Sequence, residues 1–131
     1  MPHPAVEAYA SVDKITASGR QLEASALFRV ARSLQVAQDH WGKDGSEARL
    51  SDALKLNQRL WTFFQAELGA DDNPLPPELK LHLLKLIEFI DKRTFDVLAF
   101  PAPEKLSILI NINRNVAAGL SAAPAGVPAL V

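Results

Sequence analysis

Leu56-Asn57-Gln58-Arg59-Leu60-Trp61 places an amide side chain among large apolar ones, and Ile110-Asn111-Ile112-Asn113-Arg114 does the same near the other end of the chain. At helical spacing Asn57 falls on a stripe with Leu50, Leu54, Trp61, Phe64 and Leu68, and Asn113 falls on one with Leu106, Leu109, Val116 and Leu120. A buried amide is costly unless it is hydrogen-bonded, so two of them on apolar stripes would fix how helices register in a core. The bland alternative is that each caps a neighbouring backbone group or faces water at a stripe edge.

The helix around Asn57 is predicted over about residues 47–68. It carries a second apolar row, Leu56, Leu60 and Phe63, beside the first. So wide an apolar face points to a helix packed on two sides, or packed on one and offered to a partner on the other. Leu56, Leu60 and Phe63 are therefore candidate partner-binding residues, as are Arg59 and Arg114, which flank Asn57 and Asn113 on more polar faces, while Asn57, Trp61 and Asn113 are read as structural. For the two arginines simple solvation is the competing reading.

Helices and punctuation fill the rest of the chain. A first short helix is expected from Ala5 to about Ala17, with Ala5, Tyr9, Val12 and Ile15 or Thr16 on one side. Ser18-Gly19 reads as a break, and Ser18 with Gln21 has capping-box spacing for a new start. A second helix is expected from Arg20 to Trp41 on the repeat Leu27, Val30, Leu34, Ala37, Trp41. Gly42-Lys43-Asp44-Gly45-Ser46 ends it.

Gly69 to Pro77 is a loop rich in proline, and Pro76 or Pro77 can open the next helix, which gives Pro76 a structural role. That fourth helix, Pro77 to Leu98, is the most apolar and fits the centre of a bundle. After Phe100-Pro101-Ala102-Pro103, the segment Leu106 to Asn113 alternates like a strand. It is read as a fifth helix, because its helical pattern continues to Leu120 and Gly119 stands near the expected end. Residues 121–131 contain no charge and two prolines and are expected to form a disordered tail. The prediction is a single all-α domain over residues 1–120, a compact bundle of about five helices.

Composition narrows the function. The chain has 131 residues, long enough for its own core. Lys plus Arg number 14 against 15 Asp plus Glu, a net charge of −1 that argues against direct nucleic-acid binding. No cysteine is present, which removes disulfides, thiolate catalysis and cysteine-based zinc sites. The start, Met1-Pro2-His3-Pro4, has neither the basic nor the apolar region of a secretory signal. No apolar run approaches the ~20 residues of a membrane span, so membrane insertion is not expected and a cytoplasmic location is.

His3, His40 and His82 lack metal-ligand spacing. No serine sits in a G-x-S-x-G elbow, and no glycine run forms a phosphate loop. Asp71-Asp72-Asn73 is followed by proline and lacks the distal Glu of a calcium loop. No cofactor, metal or catalytic residue is expected, and the chain is read as a binding protein and not an enzyme.

Three pieces, in their order and separation, resemble the FlaF family of flagellar biosynthesis proteins. They are Asn57-Gln58-Arg59-Leu60-Trp61, Asp72-Asn73-Pro74-Leu75-Pro76, and Leu109-Ile110-Asn111-Ile112-Asn113-Arg114 followed by Gly119-Leu120. Ser18-Gly19-Arg20-Gln21-Leu22-Glu23-Ala24 fits as well. The resemblance spans nearly the whole chain. It implies a small helical cytoplasmic protein needed for flagellin production and export, similar in role to a flagellin chaperone. It also implies action alongside FlbT, a companion regulator of flagellin translation, so the alternative role is post-transcriptional control with FlbT. No catalytic residue or cofactor comes with the resemblance.

Overall fold

In the computed structural model, residues 4–122 and 129–130 are described, with side chains from residue 19 onward. The elements are α1 (Pro4–Asp39), α2 (Ser46–Leu68), α3 (Pro77–Ala99), a 3-10 turn (Pro103–Lys105) and α4 (Leu106–Ala122). Among the described residues there is no strand. The all-α expectation holds, with four α-helices in place of about five.

The difference arises at Ser18-Gly19, where α1 runs on without a break for 36 residues. A glycine inside a helix costs about 1 kcal/mol relative to alanine, which packing readily outweighs. Here Ala24, Leu27, Val30, Ala31, Leu34 and Ala37 are all buried along α1. The Ser18 side chain, and the row Ala5, Tyr9, Val12, Ile15 and Thr16, lie outside the described side chains.

The turn after α1 is set by Gly42 and Gly45, at φ 77° and 78°. That left-handed region costs an L side chain about 1–2 kcal/mol, so glycine at both points lets the chain reverse. Gly42 N–H donates to Ser46 Oγ at 3.0 Å, and Arg49 Nη2 donates to the Asp44 carbonyl at 3.1 Å. At the other reversal Pro77 opens α3, and the Pro76 carbonyl accepts from Lys80 N–H at 3.0 Å. The Pro103 turn leads directly into α4, so the alternating segment 106–113 is helical, and α4 continues past Gly119 to Ala122.

The most extensive packing is between α1 and α4, followed by α1 with α2. The α1–α4 pair is antiparallel: Gln38 Nε2 donates to Ser107 Oγ at 2.9 Å, while Gln35 accepts from Arg114 Nη2 at 3.3 Å. The helix predicted to be central, α3, is instead peripheral. It packs mainly on α2 and touches α4 lightly. Only Leu83, Ile87, Ile90, Thr94 and Val97 are buried on it. Its high apolar content therefore exceeds what one contact face needs, and the surplus is exposed.

The expected disordered tail is also corrected. Ala129 and Leu130 are buried, and Leu130 belongs to the main core cluster. An uncharged segment loses no charge solvation on docking, so alanine and leucine can fill an apolar gap between α1 and the α2–α3 loop. Residues 123–128 and 131 lie outside the described residues.

Candidate functional site

The site begins with what holds the helices in register. Asn57 and Asn113 are buried with Trp61 between α2 and α4. Asn113 Nδ2 donates to Asn57 Oδ1 at 2.8 Å and to the Leu109 carbonyl at 2.9 Å. Trp61 Nε1 donates to Asn113 Oδ1 at 2.9 Å. The Trp61 ring meets Phe64 edge to face at 5.4 Å. One amide of α4 thus joins two residues one turn apart on α2, and a slip of either helix would break both links. Asn57 Nδ2 is buried without a hydrogen-bond partner, so the pair is not fully satisfied.

Locking Asn57, Trp61 and Phe64 inward turns the second row of α2 outward. Leu56 and Phe63 are exposed, Phe63 by 52%, and Leu60 is half-buried against the core edge. Arg59 is exposed beside a shallow depression shared with Lys55, Gln58 and Thr62. Arg114 is not brought to this row. It lies on the α1 side, bonded to Gln35 and bordering a depression with Ser25, Phe28 and Arg32. Pro76 is exposed in the α2–α3 loop.

A larger apolar surface lies on α3, which the sequence reading placed in the centre. Phe95, Leu98 and Phe100 are 66%, 56% and 72% exposed, and Leu79, Leu81 and Phe89 are exposed as well. Leu81, Phe95 and Leu98 fall on one flank of the helix by their spacing, with half-buried Leu84 between them. Phe89 and Phe100 fall on the other flank. Full burial of one such side chain is worth about 1.5–3 kcal/mol, so several on one helix form a surface that gains by being covered.

Cations partly screen the aromatic rings. Arg93 sits over Phe89 at 5.8 Å, and Lys105 over Phe100 at 5.6 Å. Lys105 also donates to the Phe100 carbonyl at 2.7 Å and pairs with Asp96 at 3.2 Å. Those contacts hold the α3–α4 connection while leaving the Phe100 ring exposed. Beside that connection Pro101 joins Trp41 and Leu50 in lining an open groove of about 1010 Å³ at the Gly42–Gly45 turn.

The family model for the flagellar protein FlaF matches residues 5–120. The chain belongs to the FlaF family. No curated protein and no solved structure matches it. The FlaF match covers α1, α2, α3 and nearly all of α4, so the amide register and the exposed flanks lie inside the family region, and Ala129-Leu130 lies beyond it. Among the described residues of this FlaF chain, no helix is long and apolar enough to cross a membrane.

The exposed rows of α3 were visible in its composition, since Leu79, Leu81, Phe89, Phe95 and Leu98 surround more of the helix than one contact covers. The missing information was which neighbour α3 has.

Proposed function

We propose that this FlaF chain is a cytoplasmic, non-catalytic flagellin-binding chaperone that supports flagellin production and export. The observation that carries the reading is the exposed apolar surface of α3, centred on Phe95 and Leu98; Phe63 and Leu56 are exposed on α2 as well. Flagellin ends in amphipathic segments whose apolar stripes are buried only on polymerisation. Before export such stripes need cover, and an amphipathic helix laid along an apolar helical flank is a recurrent solution. The binding segment would lose conformational freedom on docking, which offsets part of the contact energy and keeps the complex releasable.

The test is co-purification of the full chain with its cognate flagellin, with and without the flagellin terminal segments, at low and high salt. A complex that survives salt and disappears with one terminal segment is expected, because apolar contact dominates. Replacing Phe95 with Ser should weaken it by about tenfold or more, the scale of a central anchor residue, while helical content by circular dichroism stays unchanged. Full affinity in a folded Phe95→Ser chain would remove α3 from the interface. Absence of any complex would sink the chaperone reading and turn attention to FlbT and the flagellin transcript.

A further inference from the structure

The described C-terminal dipeptide occupies a site whose side chains read it group by group. Leu130 N–H donates to Glu23 Oε1 at 2.7 Å, and the Leu130 carbonyl accepts from Asn73 Nδ2 at 3.0 Å. Glu23 is only 8% exposed, on a helix face that also buries Ala24 and Leu27. A carboxylate so placed needs donors, and a backbone N–H supplies one.

Asn73 is held rigidly for its part. Its Oδ1 accepts from Leu75 N–H at 3.1 Å, and its Nδ2 also donates to the Glu67 carbonyl at 3.1 Å, at the end of α2. One amide therefore closes a helix, shapes the loop and grips a peptide carbonyl. The side chains are read too. Leu130 is buried to 6% exposure in the core cluster. Ala129 is 8% exposed and lies against Gly19, where an added Cβ would stand at ordinary contact distance, 3.5 Å, from the Ala129 Cβ, so a large residue before leucine would have to displace the packing around it.

Fixing both backbone groups of one residue while pockets select its side chain and its neighbour's is how extended peptides are recognised. These contacts belong to the dipeptide, whatever chain carries it. We propose that Glu23, Asn73 and Gly19 form a binding site for an extended, uncharged small-residue–leucine segment of a partner polypeptide, with Ala129-Leu130 its occupant in cis. The dipeptide in cis competes at a high effective concentration because it is part of the same chain. A partner segment then gains the site when the C-terminal residues are drawn away. The site is separate from the α3 surface, and its existence does not depend on the flagellin reading.

The probe is a fluorescent peptide with the sequence of residues 126–131. The host is the full chain carrying Leu130→Asp, whose charged side chain is expected to leave the apolar pocket. The peptide is expected to bind this variant at least ~10-fold more tightly than the unsubstituted chain, where the cis occupant competes. The same peptide N-methylated at its leucine, which cannot donate to Glu23, should lose binding. Equal binding of the methylated peptide, or no binding to a folded Leu130→Asp chain, overturns the proposal. A concentration-dependent dimer of the unsubstituted chain, dissociated by the peptide, would assign the site to a second copy and overturn the partner assignment. Should Leu130→Asp fail to fold, the unsubstituted chain decides by NMR. Millimolar peptide should displace the Leu130 amide resonance, and an unmoved resonance rejects exchange.

Discussion

Hydrogen bonds from Trp61, to Asn57 and to the Leu109 carbonyl converge on the single carboxamide of Asn113. Truncating Asn113 to Ala leaves the Trp61 N–H and the Asn57 carbonyl oxygen buried and unpaired, at about 1–3 kcal/mol each. Truncating Asn57 to Ala is milder. Asn113 Nδ2 keeps the Leu109 carbonyl, and the change also deletes an Nδ2 that has no partner. Asn113→Ala should therefore cost at least ~1 kcal/mol more than Asn57→Ala, read as a lower urea midpoint at unchanged slope. The reverse order would place the centre of the network at Asn57. The sequence revealed both amides, since each interrupts an apolar stripe. It could not reveal their bond, because the partners are 56 residues apart and periodicity speaks only of one helix at a time.

At the scale of elements, glycine marks both what was legible and what was not. Gly42 and Gly45 signal a turn in the sequence, and their positive φ values require glycine there. Gly19 signals a break by the same rule and is instead an internal residue of α1. Local propensity is the same for all of these glycines; the tertiary packing of α1 against α4 decides between them. Opposite outcomes follow for one chemical change. Gly19→Ala should stabilise the protein by up to about 1 kcal/mol, since helix propensity improves and the new methyl meets Ala129 at ordinary contact distance. Gly42→Ala meets no neighbouring atom but must adopt φ +77°, so it should destabilise by about 1–2 kcal/mol. Thermal unfolding of the two variants checks the pair, and a loss of stability in Gly19→Ala would mean that α1 bends at that point in solution.

Across the whole molecule, the apolar surface is distributed unevenly because the packing is. The helices α1 and α4 bury each other along an antiparallel pair with α2 against them, whereas α3 rests mainly on α2. The sequence made α3 look central because apolar content alone cannot tell a helix surrounded by neighbours from one with exposed flanks. The same unevenness predicts the order of opening. Local stability follows buried contact, so amides in the outer turns of α3 should exchange through openings of lower free energy than those of α1 between Ala24 and Ala37. Native-state hydrogen exchange under mild denaturant would show α3 protection merging with global unfolding only at higher denaturant than α1. If α3 and α1 instead share one opening free energy throughout, the bundle is a single cooperative unit, and α3 cannot yield separately to a partner. A low-energy opening of α3 would let its exposed Phe95–Leu98 flank and the buried Ile87–Ile90 edge act together on an incoming helix, with the Asn113–Trp61 link keeping α2 and α4 in place.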